Sequence, residues 1–361
     1  VEDADRGQWI SVAVLSDGRP VAAWYNRSSG GLEFGLGKVV DGVVSWSIEK
    51  VDGFADETGL DSGNRGTHTG IAVGPDDRIW IVYRDVTNKT LRYAMRDTVY
   101  NPGDYAEPVK TVWKTDLLDV GAGASPDTGE WTSLAIGADG NPVVVYRDVG
   151  KRQLRVAHWG GTSFSATTVD VGQDYIPEDT AGSPVTANVG EFARLVFGPD
   201  GKEYIAYYDR AWGRLRLAVG DASGYALGDV DDEADVGQWP SMLFTSDGTL
   251  HLAYHDVTNQ DLKHAWGHPG AFETEIVDSG DYRGADSEIF RFGDMLSILY
   301  FDGYDNDLLL ARRTGETWAL SQVAGGDAAL GFHNNVFVTG GRTYAACYDY
   351  TGRGPWAGAL E

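Results

Sequence analysis

The stretch WTSLAIGADGNPVVVYRD, residues 131–148, decides the fold. It reads as an apolar alternating run, a tight turn, and a second apolar run ending in an aromatic and an acid. Alternation with period two marks a half-buried strand, and Asp139-Gly140 is the turn chemistry that joins two such strands in a hairpin. The phrase recurs seven times. The other copies are WISVAVLSDGRPVAAWYN from Trp9, HTGIAVGPDDRIWIVYRD from His68, FARLVFGPDGKEYIAYYD from Phe192, WPSMLFTSDGTLHLAYHD from Trp239, DSEIFRFGDMLSILYFD from Asp286 and HNNVFVTGGRTYAACYD from His333. Successive starts lie 59, 63, 61, 47, 47 and 47 residues apart. A unit of that length, repeated, is the one-blade-per-repeat period of a β-propeller. The expectation is therefore an all-β, seven-bladed propeller in a single domain spanning residues 1–361.

Each unit carries four strands. Strand A is the first alternating run and strand B ends at Tyr-x-Asp. Strand C carries Leu-x-x-Ala (Leu91-Ala94, Leu154-Ala157, Leu215-Ala218), and strand D precedes the next unit. The seventh unit stops after strand C. Its outer strand is expected from the N-terminus, where Val1-Glu2-Asp3 matches the strand-D ends Val51-Asp52 and Val277-Asp278. Most of the extra length of the early units is assigned to D–A connections: Phe54 to Arg65, Ala122 to Thr128, Gln173 to Val189 and Asp229 to Asp235.

The repeat resembles bacterial seven-bladed propellers of the broad Asp-box, or BNR-like, kind over nearly the whole chain. The sialidase box Ser-x-Asp-x-Gly-x-x-Trp is not reproduced, since Ser16-Asp17-Gly18 and Ser246-Asp247-Gly248 place the acid one residue early. Ile71 to Trp80 is similar to the blade phrase of streptogramin lyases, which with some polysaccharide lyases use His together with Tyr, Arg or Glu. The resemblance implies an architecture and leaves the activity open.

Composition narrows the partners. There are 29 Lys plus Arg against 54 Asp plus Glu, a net charge of −25. That surface repels phosphate backbones and anionic membranes, so no nucleic acid and no membrane insertion are expected. No apolar run approaches the roughly 18–20 residues of a transmembrane helix. A secreted or periplasmic monomer is expected, its signal peptide already removed, taking a small-molecule or glycan ligand. Cys347 is the one cysteine, so no internal disulfide can form.

Seven aligned repeats provide an internal control: positions filled alike serve the fold, and departures are candidates for function. The Asp ending strand B recurs as Asp85, Asp148, Asp209, Asp256, Asp302 and Asp349, with Asn26 in the first unit, and is assigned to the B–C turn. The Tyr two residues earlier is assigned to packing between blades; Trp24 and Cys347 replace it in units one and seven. The first residue of strand A is aromatic in Trp9, Trp131, Phe192 and Trp239, but His68, Asp286 and His333 elsewhere. Two residues on, small side chains give way to Arg194 and Glu288. These residues define one candidate site at the channel mouth. His68, His333, Asp286, Glu288 and Arg194 are its catalytic candidates, Trp9, Trp131, Phe192 and Trp239 its walls, and Cys347 an adjacent thiol.

Arg84, Arg147 and His255, the middle residues of Tyr-x-Asp, are candidate ligand contacts; the two arginines would serve as inter-blade ion pairs or anion binders. His68, His333 and Asp286 could also hold one divalent metal, zinc or copper, and the acidic inserts (Asp56, Glu57, Asp61, Asp174, Glu178, Asp179, Asp231, Asp232, Glu233, Asp235) could capture calcium. The expected activity is acid–base or metal-assisted lyase or hydrolase chemistry at the mouth. A carbohydrate-binding lectin or scaffold is one alternative. The other is a copper oxidoreductase similar to galactose oxidase, with Cys347 in a Cys–Tyr site.

Overall fold

The computed structural model describes residues 4–55, 62–100, 109–176 and 184–360. It contains seven antiparallel sheets and no helix among those residues. Six sheets have four strands in sequential order; the seventh has three. The innermost strands, from Arg6–Val14 in blade 1 to Leu330–Thr339 in blade 7, each contact the next, and blade 7 contacts blade 1. The result is a closed seven-bladed propeller, with Trp9, His68 and their siblings at one end of the central channel.

The expected fourth strand of blade 7, Val1-Glu2-Asp3, lies outside the described residues. The segment that follows it is consistent with closure by the N-terminus. The Arg6 N–H donates to the Arg353 carbonyl at 3.1 Å, beside strand C of blade 7 (Gly354–Ala359).

The extra length of the early blades is shared between the D–A connections, longest in blades 1 and 3 as the sequence reading has it, and the outer hairpins. In blade 1 strands C and D run over Gly31–Val40 and Val43–Asp52, and in blade 2 over Thr90–Tyr100 and Val109–Asp119. These are two to four residues longer than in later blades, so part of the insertion extends the outer hairpin. Strand D of blade 4 reaches Asp231, which shortens the proposed 229–235 insert to a four-residue turn, 232–235. Of the insert acids, Asp56, Glu57, Asp61, Glu178 and Asp179 lie outside the described residues. Asp174, Asp231 and Asp235 are engaged by protein donors.

Each boundary between blades holds one apolar cluster. Between blades 1 and 2, Val21, Leu32 and Phe34 pack on Ile71, Ile81 and Tyr83. Between blades 6 and 7, Leu299 and Leu308 pack on Ala345 and Cys347. Burial of these side chains, at about 25 cal/mol per Å², is what holds the ring together. The residue ending strand B, Asp in six blades and Asn26 in blade 1, makes the B–C turn: Asn26 accepts from the Ser29 N–H at 3.1 Å, Asp85 from the Asn88 N–H at 2.9 Å, Asp256 from Asn259 at 2.9 Å and Asp349 from Gly352 at 2.7 Å.

Candidate functional site at the channel mouth

A backbone device repeated seven times aims side chains into the channel. Trp9, His68, Trp131, Phe192, Trp239, Asp286 and His333 all have left-handed backbone, with φ between 48° and 58°. Each sits in a bulge where strand A slips register against strand B, as between Gln8 and Ser11. The bulge turns the side chain inward. A glycine stands two residues earlier in every copy, also at positive φ. Gly237 shows why: a Cβ there would lie 2.6 Å from the Cβ of Leu215, the strand-C leucine of the preceding blade. This Gly-x-X column, readable in the sequence beside the leucine column, marks the ring more sharply than the aromatic pattern alone.

The carbonyls freed by the bulge are taken up by the next blade. Thr69 donates to the Trp9 carbonyl, Ser287 to Trp239 at 2.8 Å and Asn334 to Asp286 at 2.9 Å. One layer down, Ser11, Ser133 and Ser241 accept the N–H groups of Ile71, Leu195 and Ile289. The small-residue column therefore stitches blades together.

The ring residues pack on each other. Trp9 lies between His68 and His333, with ring centroids 3.8 and 4.4 Å away. Trp131 meets Phe192 at 4.1 Å, and Phe192 meets Trp239 at 4.7 Å. The cavity left among them is about 70 Å³, room for a few waters and too small for a sugar ring. Arg194, Asp286 and His333 line it.

The electrostatics inside are those of a desolvated site. Burial pushes His68 well below the ordinary imidazole value, and the Arg84, His333 and Arg147 charges add to this. Its Nδ1 accepts the Trp131 N–H at 3.1 Å, so the neutral ring carries its proton on Nε2. Burial also lowers His333, against the pull of Asp286, and raises Glu288, against the opposing Arg194. Arg194 has no carboxylate within 4 Å among the described residues, whereas Arg65, Arg155 and Arg216 are each paired.

Two sequence candidates stand apart from the ring. Cys347 is fully buried between blades 6 and 7, with Leu308, Leu330 and Trp356, and burial pushes its thiol up to about 12. The copy alignment places it on strand B beside the mouth. Strand alternation instead turns it into the blade boundary. Arg84 and Arg147 form a chain of inter-blade ion pairs: Arg84 with Asp127 and Glu130, Arg147 with Glu130 at 3.0 Å and Glu191 at 3.3 Å. Their donors are turned to carboxylates, so they do not join Arg194 in a cluster. No group of three or more His, Cys, Asp or Glu poised around one metal occurs among the described residues.

An opening larger than the ring cavity lies beside the ring on the same face. A groove of about 440 Å³ between blades 5, 6 and 7 is lined by Trp239, His255, Tyr282, Asp286, Phe301 and Phe332. His255 donates from Nδ1 to the Arg283 carbonyl at 2.5 Å, and its Nε2 makes no hydrogen bond to a described residue. Burial lowers its pKa, opposed by that bond. The ring is thus neutral at physiological pH with a bare basic nitrogen. The exposed large aromatics Trp212, Tyr282, Tyr304 and Tyr350 all belong to B–C turns or D–A connections, and so to this face. Tyr282 lies in a D–A connection outside the aligned phrase, and Phe301 shares the Tyr-x-Asp column with His255 but is one of its apolar members, so the repeat comparison selects neither.

No known family and no curated protein matches the chain. Solved structures do. A polysaccharide lyase of family PL25, an ulvan lyase, superposes with a TM-score of 0.61 at 12% identity, over 95% of this chain and 92% of that one. The polysaccharide lyase Uly1 gives 0.54 at 12%, over 94% and 86%. The Hadza microbial sialidase Hz136 gives 0.52 at 13%, over 88% of this chain and 65% of the sialidase. At such identities the likeness carries the fold: the chain is similar to propellers of the lyase and sialidase kind, and its chemistry must be read from its own groove.

Proposed function

We propose that this chain is a secreted carbohydrate-active protein that takes a glycan across its mouth face and cleaves it by acid–base chemistry in the groove between blades 5, 6 and 7. The observation that carries the reading is His255. Its Nδ1–H is pinned to the Arg283 carbonyl, its Nε2 is bare, and it shares the groove lining with Asp286. A neutral imidazole of fixed tautomer is the form a general base requires. Asp286 supplies a second proton-transfer group. The flat walls Tyr282, Phe301 and Phe332 suit the apolar faces of sugar rings, and the groove falls in the volume range of ligand sites.

Trp9, His68 and His333 form the packed floor beside this groove, which the 70 Å³ cavity cannot replace as a sugar site. The likeness to glycan-active propellers is in keeping with this reading.

The test is a panel of neutral and acidic polysaccharides, followed for new reducing ends and for the ultraviolet absorbance of an unsaturated product. The first alone indicates hydrolysis; both together indicate elimination. His255→Ala and Asp286→Asn should each lower turnover by about 10²-fold or more. Full turnover in both variants would overturn the reading. Binding without cleavage, lost on Tyr282→Ala, would favour the lectin alternative.

A further inference from the structure

The same internal control singles out a second pair of residues, on another part of the molecule. His251 and His264 stand on strands B and C of blade 5 and face blade 6. The position of His264 is held by Phe34, Tyr93, Val156, Leu217 and Leu310 in other blades, and that of His251 by Val21 in blade 1. Two imidazoles thus replace apolar packing at adjacent points of one boundary. His251 Nδ1 and His264 Nε2 lie 3.0 Å apart. The far side of His264 is fixed, since Nδ1 donates to Glu275 at 2.9 Å. Glu275 is held in turn by Arg313 and by Trp318 Nε1 at 3.0 Å. With Glu275 as acceptor, His264 carries its proton on Nδ1 and presents the Nε2 lone pair to His251.

The boundary between blades 1 and 2 shows what the fold needs there. Glu49 is held by Arg96 at 2.6 Å and by Trp113 at 3.1 Å, the same Glu–Arg–Trp arrangement. In that copy Phe34 packs on Trp113 at 5.0 Å, as His264 packs on Trp318 at 5.4 Å. The arrangement closes with a Phe and a Val, so folding does not demand the imidazoles. A carboxylate bonded behind an imidazole is the support that orients metal-ligating histidines. Burial favours the neutral, ligating form of both rings.

We propose that His251 and His264 form a site for one imidazole-preferring divalent transition-metal ion, with zinc as the type ion. The ion takes the place of the proton shared between His251 Nδ1 and His264 Nε2. That proton moves to His251 Nε2, and His264 keeps its Nδ1–H on Glu275. Two nitrogens at about 2.0–2.1 Å from a tetrahedral zinc lie about 3.3 Å apart, a few tenths of an ångström more than the present separation. No third His, Cys, Asp or Glu joins the pair among the described residues, so water completes the coordination through half-exposed His251. The site is independent of the groove and of its chemistry.

The experiment is calorimetric titration of the metal-free full chain with zinc chloride, and in parallel with nickel, each followed by histidine side-chain NMR. One ion per chain is expected, with the His251 and His264 resonances shifting. Glu275→Gln should weaken binding by about 10–100-fold. His251→Val with His264→Phe, the residues blade 1 uses, should abolish it while the near-ultraviolet circular dichroism stays native. Should the double variant not fold, His251→Val alone, at the half-exposed position, carries the test. No stoichiometric uptake by the wild type overturns the proposal, as does uptake that survives loss of His251.

Discussion

The Tyr83 hydroxyl donates a 2.6 Å hydrogen bond to Asp52, the last residue of the preceding blade's outer strand. The contact recurs as Tyr146–Asp119, Tyr207–Asp170, Tyr254–Asp231 and Tyr300–Asp278. In blades 2 to 5 a cation on strand C, such as Arg155 or Lys263, reaches the same carboxylate. The tyrosine column therefore latches blade to blade, beyond the packing expected of it. Blade 7 breaks both halves together: Cys347 replaces the tyrosine, and Ala324 stands where the aspartate would be. Losing the hydroxyl and the carboxylate as a pair leaves neither one buried alone.

Removing one half should be costly. Tyr146→Phe leaves an Asp119 oxygen short of a donor in a buried site, and should lower unfolding stability by about 1–3 kcal/mol in urea titration. Cys347→Tyr should destabilise by adding bulk and an unpaired hydroxyl, and Ala324→Asp in the same chain should recover part of the loss. Equal stability of the single and double variants would contradict the latch.

The glycine column makes a local prediction. Gly237→Ala combines φ of 105° with a Cβ that would lie 2.6 Å from Leu215, so it should destabilise by more than about 1 kcal/mol. Gly228 has open space around its Cβ position and ordinary backbone. Gly228→Ala should be neutral or stabilising by about 0.5–1 kcal/mol. Thermal unfolding of the two variants separates the cases.

Stability should fall on mild acidification. His68, His333 and His255 are held below the ordinary imidazole value chiefly by burial. Below pH about 6.5 the unfolded chain takes up protons at these rings and the folded chain resists, so unfolding gains as pH drops. Asp148 and Asp209, raised by burial, act in the opposite sense closer to their own range and soften the decline there. Denaturant midpoints measured from pH 7.5 to 5 should decrease steadily; a flat profile would refute the assignment.

Cys347 should be silent in the native state. With its thiol pushed up to about 12 and no exposed surface, it should resist a bulky disulfide reagent, and raising the pH from 7 to 9 should not speed its labelling. Denaturant should release one reactive thiol per chain. Fast native labelling would place the thiol at the surface.

The repeat by itself determined the number of blades, the strand order and the turn role of the strand-B aspartates, because those depend on period, alternation and short-range bonds. It also brought His68, Asp286 and His333 to one ring, since equal positions in a cyclic repeat converge on the axis. Tertiary structure decided the rest. Whether ring residues enclose a site or fill it depends on the channel's width against the volume of Trp9 and Trp131, which only the packed ring sets. The groove of His255, Tyr282 and Phe332 is assembled from three blades, so no single repeat contains it. Arg84 was legible as a cation, but its carboxylate Glu130 lies 46 residues away and on the next blade. Partners of that kind are chosen by the angle between neighbouring sheets, and linear spacing carries no record of it.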